Sequence, residues 1–279
     1  MPAYINTNVA SINTVRILDG SQKELTTSME RLSSGKRINH ARDDAAGMAI
    51  SSKMTSQING MNQAVRNTND GISMVQTADG AMEGIASKLQ RMRELAVQSA
   101  NGIYSTSDRA ALDIEFQALD DEIGRVANSV EFNGTTLLAS TKTLTIQVSY
   151  ADDSTNGKID VDLTKVTSTG LSIKDDVITT QDDASTAIGA IDDALSTVNS
   201  ARATLGATQN RLETTVTDLK NNVENLSASR SRIQDADFAS ETAQLAKSQI
   251  LQQAGMAMLA QANQRSEERR VGKECRSRW

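Results

Sequence analysis

Several residue types are almost missing from this 279-residue chain. Cysteine, histidine and proline occur once each, as Cys275, His40 and Pro2, and aromatic residues make up only 3% of the sequence. A single cysteine excludes a disulfide framework. One histidine does not supply the partners for Ser/His/Asp or Cys/His catalysis, or for a histidine-rich metal site. We therefore expect no catalytic, cofactor-binding or metal-binding residues, and an enzyme is the least favoured class of protein.

Long apolar runs are missing as well. No stretch of about 18 consecutive apolar residues occurs, so the sequence predicts no transmembrane helix and no membrane partner. The N-terminus lacks the charged start and the continuous apolar run of a Sec-type signal peptide. Because 35 acidic residues oppose 29 basic ones and give a net charge of −6, the composition also argues against nucleic acid as a partner.

Aliphatic residues spaced as in a coiled coil are abundant instead. Alternating steps of three and four residues from Ile188 to Ile233 meet mostly apolar side chains, the pattern of a coiled-coil seam. The residues assigned to this bundle seam are Leu195, Leu205, Leu212, Val216, Leu219, Val223 and Leu226. A helix of that length spans about 70 Å at about 1.5 Å per residue, so it needs a long partner.

The first half of the chain supplies such partners. The same alternation runs from Met54 to Val75 and from Met82 to Ala96, and a second helix is expected to begin near Ser107. The small polar residues between these helices indicate a turn. Asp43 and Asp44 come before the first of them, and we interpret them as carboxylates at the positive end of a helix dipole rather than as an acid/base pair.

A different pattern separates these helices from the long one. Residues 143–150 and 159–163 alternate with period two around Asn156-Gly157, which predicts a β-hairpin. The surrounding aspartate pairs lack the spacing of a calcium loop, so we expect a solvated β excursion that leaves the bundle and returns to it. The predicted fold class is mainly α, a long antiparallel coiled-coil or helical bundle with a small inserted β-hairpin.

Thin apolar stripes mark both ends of the chain. The residues assigned to this axial coiled coil are Leu18, Leu25, Met29 and Leu32 near one end, and Leu245, Leu251 and Met258 near the other. Short helices are marginal alone, so these ends are expected to order only against each other or against other subunits. With the altered tail described below, we also expect residues 1 to about 40 and 235–279 to be disordered in the monomer.

The last 15 residues, RSEERRVGKECRSRW, differ in composition from the rest. They hold six basic and three acidic residues, together with the only cysteine and the only tryptophan, and we interpret them as a foreign or disordered tail.

The patterns together divide the chain into six predicted parts. These are an N-terminal axial helix (1–43), the outer-core helices (44–140), the β insert (141–183), the return helix (184–234), the C-terminal axial helix (235–264) and the tail (265–279).

A series of ordered sequence blocks resembles bacterial flagellin. These blocks are INTNVASINT at 5–14, ERLSSGKRINHARDDAAG at 30–47, RNTNDGISMVQTADGAM at 66–82, LQRMRELAVQSANG at 89–102, EFNGTTLL at 131–138 and SQILQQAGMAMLAQANQ at 248–264. The resemblance covers residues 1–264. It implies an axial coiled coil from both ends, an outer helical core, and a variable outward insert that is short here, as in a lateral-type flagellin.

The resemblance implies a structural function. Family members are subunits of the extracellular flagellar filament, which self-assembles through the terminal coiled coils and serves motility. They leave the cell through the flagellar type III channel without a cleavable signal. The implied partners are copies of the same chain, an export chaperone at the C-terminal helix, and hook-associated and cap proteins. The alternative is a hook–filament junction protein of the same superfamily.

The resemblance also implies recognition by the vertebrate Toll-like receptor that senses flagellin. The positions that match the pattern for receptor and protofilament contacts are Gln90, Arg91, Leu95, Gln98 and Glu115. An exposed Leu95 beside Arg91 would anchor such an interface. Without the resemblance, the residues predict only an interaction surface or a solvated face.

The tail gives a further expectation by resemblance. The family pattern continues after Gln264 as a short apolar end, whereas this chain continues with a segment of net positive charge. Terminal helices packed around a narrow filament channel would bring these charges together. We therefore expect the chain to fold its outer core and to polymerise poorly.

Overall fold

The computed structural model describes residues 8–151 and 157–276, with side chains described up to Gln264. Within these residues the chain forms the helices α1 (Val9–Ser34), α2 (Ala45–Ser99), α3 (Thr106–Ser129), α4 (Gln181–Gln234) and α5 (Phe238–Arg276). The strands are β1 (Glu131–Phe132), β2 (Thr135–Thr136), β3 (Lys142–Gln147) and β4 (Lys158–Leu163). The predicted mainly α class is therefore confirmed.

The described chain divides into two compact units. The outer unit, as we call it, is Gln57–Asn225, and the terminal unit consists of the residues up to Ser56 and those from Leu226 onward. The boundary thus falls inside α2 and inside α4, where the helical pattern of the sequence continues without a break.

The predicted bundle seam forms the buried side of α4 in the outer unit. Leu205 and Leu212 are almost completely buried, Val216 and Leu219 are buried, and Leu195 and Val223 are half-buried. The side chains that complete this core from α2 and α3 include Met82, Ile85, Leu89, Met92, Phe116 and Ile123. Each such side chain contributes about 1.5–3 kcal/mol on full burial, so this packing is the main stabilisation of the outer unit. Leu226 is half-buried and belongs to the terminal unit.

The predicted hairpin is present as the antiparallel pair of β3 and β4, in a register that runs from Lys142 opposite Leu163 to Gln147 opposite Lys158. Its description as a solvated excursion is wrong. The side chains of β4 alternate, and Ile159, Val161 and Leu163 are buried in the core of the outer unit. Only the opposite face of the hairpin is exposed to solvent. On that face, the aspartates between these residues accept hydrogen bonds from threonines of β3.

Two glycines of α2 allow the hairpin to lie close to that helix. A Cβ atom at Gly71 would overlap the side chain of Ile146 in β3. A Cβ atom at Gly60 would lie 2.7 Å from the Cβ atom of Tyr150. A larger residue at either position would push the hairpin away from the helix, so the absence of a side chain is a packing requirement here.

Helices α1 and α5 pair in the terminal unit as antiparallel neighbours. The amide of Asn8 donates to the carbonyl of Ala262 at 3.0 Å at one end, and Arg31 lies 3.7 Å from Glu241 at the other. The expectation that the ends are disordered is therefore wrong for the described residues, because the two helices pack against each other. The expected disorder of the tail is also wrong up to Arg276, where α5 ends. Its arginines, lysine and glutamates are good helix formers, and the segment has no proline.

The contact line between α1 and α5 differs from the predicted stripes. Leu18, Leu25, Leu32 and Leu245 are half-buried as expected, but Met29, Leu251 and Met258 are 57%, 43% and 61% exposed. The buried positions are Ser21, Ser28 and Ser248, and Gly255 faces Leu18. Small residues let two helices approach closely, and the seam alternates them with leucines. It follows the predicted positions at Leu18, Leu25, Leu32 and Leu245, and is displaced by one residue from Met29, Leu251 and Met258.

The segment between α1 and α2 is held by backbone contacts. Arg37 N donates to the Gln234 carbonyl at 2.7 Å, and Ile38 is buried. The Asp43 carboxylate accepts from the backbone N–H of His40 at 2.9 Å, and this hydrogen bond lowers the pKa of Asp43. The Asp44 carboxylate accepts from Gly47 N at 2.8 Å in the first turn of α2. This contact confirms its predicted place at a helix start.

Candidate interaction surfaces

The turn between α2 and α3 supports the first candidate surface. Ser105 caps α3, since its side chain accepts from Asp108 N at 3.3 Å while the Asp108 carboxylate accepts from Ser105 N at 3.0 Å. This reciprocal capping box satisfies two backbone donors at the start of the helix. Its hydrogen bonds lower the pKa of Asp108. The box fixes where α3 begins, and hence which of its side chains face α2.

Arg91 joins the two helices on their outer side. Its Nε donates to Glu115 Oε1 at 2.9 Å, and its Nη1 donates to Glu94 Oε2 at 2.9 Å. The hydrogen bonds to Glu94 and then to Glu115 raise the pKa of Arg91. The three side chains are 48–67% exposed, so a partner could contact them without unfolding the helices.

The other predicted positions do not all share this surface. Gln90 and Gln98 are exposed, and Gln98 donates to the hydroxyl of Tyr104 at 3.2 Å. Leu95 is only 1% exposed and belongs to the core, so its predicted exposure is wrong. The buried stripe of α2 is wider than a two-residue seam, because α3 and α4 both cover this helix, and it takes in Leu95 together with Ala96.

Three exposed apolar residues beside these positions were missed. Val97, Ile103 and Ile114 are 48%, 81% and 74% exposed. They are neighbours in sequence of Gln98, Tyr104 and Glu115, respectively. The exposure of Ile114 was predictable from the sequence, because this residue lies outside the apolar alternation of α3. In a straight helix, such a position faces outward.

The exposed apolar side chains of α1 and α5 form the second candidate surface, which we call the axial face. Large apolar side chains are more than 40% exposed along both helices. They are Val9, Ile12, Val15, Ile17 and Met29 on α1, and Phe238, Ile250, Leu251, Met256 and Met258 on α5. Ten large apolar residues exposed on one pair of helices are more than isolated surface residues, so we take them as a candidate interaction surface.

Comparison with known families decides how these surfaces are interpreted. The model of the bacterial flagellin N-terminal helical region matches residues 5–143, and the model of the bacterial flagellin C-terminal helical region matches residues 188–268. The chain belongs to the bacterial flagellin family. Flagellins are structural proteins. The axial face of this flagellin lies at the start of the matched N-terminal region and at the end of the matched C-terminal region.

Individual relatives agree with this assignment. This flagellin is 48% identical over 264 residues to a flagellin of Halalkalibacterium halodurans, in an alignment that covers 93% of this chain and 96% of that protein. It is 40% identical to a flagellar filament core protein of Brachyspira hyodysenteriae, with 93% and 95% covered. The crystal structure of Bacillus cereus flagellin matches with a TM-score of 0.50 and 32% identity, over 55% of this chain and 88% of that one.

Further ion pairs join α2 and α4 in the outer unit of this flagellin. Arg93 of α2 lies 2.6 Å from Asp192 of α4, and Arg202 of α4 lies 2.8 Å from Asp79 of α2. Hydrogen bonding to Arg93 lowers the pKa of Asp192. Exposed pairs of this kind contribute at most about 1 kcal/mol each, so they guide the alignment of α2 and α4 more than they stabilise it.

Two classes of site are not found in the part of this flagellin that the structure describes. No three His, Cys, Asp or Glu side chains there come together as metal ligands. None of the described helices combines the length and the hydrophobicity that a bilayer crossing demands.

Proposed function

We propose that this flagellin is a subunit of the bacterial flagellar filament and that its copies assemble through the axial face. The observation that carries this proposal is the exposure of large apolar side chains on two helices that already pair with each other. Small residues and half-buried leucines form the seam between α1 and α5, so these more exposed apolar side chains contribute little to the pair. They remain available for other copies, at about 1.5–3 kcal/mol for each side chain that becomes fully buried.

Seeded growth tests the proposal. Soluble protein is mixed with sonicated filaments of the same flagellin family, and elongation is followed by sedimentation and by electron microscopy. Ile250→Glu and Met258→Glu should stop elongation, since each places a charge where an apolar contact is required. Both residues are more than half exposed, so the helical content of the monomer should not change.

Gln253→Glu is the matched control. Gln253 is an exposed polar residue of the same helix, so the variant adds the same charge without removing an apolar side chain. It should elongate seeds like the unmodified chain. Normal growth of the Ile250 and Met258 variants would refute assembly through the axial face. Seeds that bind a chain without residues 265–279 and then stop growing would favour the junction-protein alternative.

The same surface bears on the remaining partners. A subunit that carries an exposed apolar helix needs a cover before assembly, which supports an export chaperone that binds α5. Passage through the flagellar type III channel, an extracellular location, and contacts with hook-associated and cap proteins follow from the same family assignment, as parts of this proposal. Co-purification of α5 variants with the chaperone of a flagellated host would test the first of these contacts.

A second function concerns the Arg91 cluster, which consists of Arg91, Glu94 and Glu115. We propose that this cluster, with Gln90 and Gln98 beside it, is recognised by the vertebrate Toll-like flagellin receptor. The supporting observation is an exposed, geometrically fixed ion pair between α2 and α3, which presents charge and hydrogen-bonding groups on a rigid surface. Leu95 is left out of this surface because it is buried.

Receptor activation in a reporter cell line tests this second function. Arg91→Ala and Glu115→Ala should reduce activation with little change in melting temperature, because exposed ion pairs contribute at most about 1 kcal/mol. Arg93→Ala is the matched control, since Arg93 makes an equally exposed pair with Asp192. Equal loss of activation in all three variants would show that the effect follows stability, and would refute a specific surface.

A further inference from the structure

The segment between β4 and α4, residues 164–180, lies along one side of α3, and we call it the strap. Three hydrogen bonds fasten it to helix positions spaced by four and three residues, which share one face. They run from Ile178 N to Asp113 Oδ1 at 2.9 Å, from Gln117 Nε2 to the Asp176 carbonyl at 2.6 Å, and from Ser168 Oγ to the Asp120 carbonyl at 3.0 Å.

The strap is also packed against the core. Its buried apolar side chains are Val166, Leu171, Ile173 and Ile178. Ser172 and Asp175 have positive φ angles of 59° and 69°, a conformation that costs energy for residues other than glycine. The strap therefore has a defined path that holds Asp176 opposite the face of α3 that carries Asp120.

Two carboxylates on the facing sides of strap and helix have unsatisfied oxygens. Asp120 is only 7% exposed, and its Oδ1 is buried without a hydrogen-bond partner. Asp176 has a buried Oδ2 without a partner. Gln117, which binds the Asp176 carbonyl, lies one turn before Asp120, so the two carboxylates come from adjacent places in the structure. Buried acceptors without donors are rare and costly in native proteins.

The charged groups around this pair make full ionisation unfavourable. Burial raises the pKa of both carboxyls, and the charge of Asp120 raises the pKa of Asp176 further. At Asp120, a hydrogen bond from Ser168 and, more weakly, the charge of Lys174 oppose this shift, whereas Asp121 on α3 and Asp175 on the strap act in the same direction as burial. The described residues bring no group of three metal ligands together here, so a proton fits the pair better than a metal ion.

We propose that Asp120 and Asp176 keep one proton between them in weakly acidic solution while the strap is closed, and that this proton makes the strap a pH-sensitive latch on α3. One carboxyl is protonated and the other is ionised, so the closed strap buries one negative charge instead of two. No other bond forms or breaks. The inference concerns the outer unit and does not depend on filament assembly.

The direction of the pH dependence follows from linkage. A carboxyl whose pKa is higher in the closed state than in the open state binds its proton more strongly when the strap is closed. The closed state is therefore favoured at low pH, and this stabilisation is lost as the pH rises through the raised value. Each unit of pKa difference between closed and open strap corresponds to about a tenfold change in the opening equilibrium.

Hydrogen exchange of the full-length protein tests the latch. Protection factors of peptides that cover residues 164–180 are measured by mass spectrometry from pH 4.5 to pH 8, with correction for the intrinsic exchange rate. They should fall as the pH rises, while peptides from the middle of α4 change much less. Asp120→Asn should remove the pH dependence and keep the protection high at pH 8, because a neutral amide removes one of the two negative charges that disfavour the closed strap.

Asp176→Asn provides a second variant with the same expectation. Asp175→Asn and Asp121→Asn are the matched controls, since each removes an exposed charge nearby and should leave the pH step in place. A flat profile in the unmodified protein would overturn the proposal, and so would lower protection at pH 8 in Asp120→Asn. Protection at pH 8 that rises with calcium and falls with a chelator would show a cation in place of the proton and would also overturn it.

Discussion

Ser248 offers a direct test of how the first and last helices contact each other. It is completely buried, its hydroxyl has no hydrogen-bond partner, and its carbonyl accepts from Ser21 Oγ at 3.1 Å. Ser248→Leu would force a branched side chain into this contact, and overpacking of this kind costs about 1–3 kcal/mol. Ser248→Ala removes an unsatisfied hydroxyl and should be neutral or stabilising by up to about 1 kcal/mol.

Hydrogen exchange of peptides from 9–34 and 238–264 measures the effect, because these peptides report on opening of the pair. Ser248→Leu should lower their protection by about five- to a hundredfold, the range that corresponds to the overpacking cost. Gln249→Leu is the control, since Gln249 is exposed and should tolerate leucine. Met258→Ala should cost less than about 0.5 kcal/mol, as expected for a side chain outside the seam. A stabilising Ser248→Leu with a strongly destabilising Met258→Ala would refute the small-residue seam.

Three more outcomes are expected. Leu212→Asp should unfold the outer unit in circular dichroism and urea titrations, because an unpaired buried charge costs several kcal/mol, whereas Thr217→Asp on the exposed side should not. Ser105→Ala should destabilise by about 1 kcal/mol through loss of the α3 cap. Since the cap lowers the pKa of Asp108, its contribution should be present at neutral pH and fade as the pH falls through that lowered value, which urea titrations at two pH values would show. Removal of residues 265–279 should speed seeded growth if their positive charges repel one another, and an unchanged rate would show that the tail is harmless.

Much of the outer unit was predictable from periodicity. The alternation of Leu205, Leu212 and Leu219 with polar residues allowed one arrangement, because a helix with that stripe has to bury it. The hairpin was equally clear from its period of two and its Asn156-Gly157 signal. The burial of one face of the hairpin was not predicted. A strand that alternates apolar and acidic residues has one buried and one solvent-exposed face, and the many aspartates led us to predict exposure of both.

The terminal unit shows where hydrophobic pattern misleads. Apolar residues of α1 and α5 were assigned to the contact between these helices, yet Met29, Leu251 and Met258 face outward. Apolar spacing indicates which residues seek burial and not what buries them. In a protein that assembles, part of the apolar surface belongs to other subunits, and serine can occupy the intramolecular seam.

Tertiary contacts between distant residues were beyond sequence reasoning. Arg91 and Glu115 were identified only by resemblance, and their ion pair depends on how α3 returns along α2. Asp120 and Asp176 gave no signal at all, because each stands among other aspartates that are exposed. The prediction that Leu95 is exposed was wrong for a related reason. Its burial depends on the two helices that cover α2, and not on the apolar pattern of α2 itself.

The register of the hairpin has a practical consequence. Because Gln147 is paired directly with Lys158, the connection between β3 and β4 begins and ends at neighbouring points of one small sheet. A foreign domain with closely spaced ends could be inserted into this connection without stretching either strand. Loop closure grows expensive only slowly with length, by about 0.6 kcal/mol for each doubling. The end of this hairpin is therefore suited to the insertion of a foreign domain, and the proposed filament would carry one inserted domain per subunit.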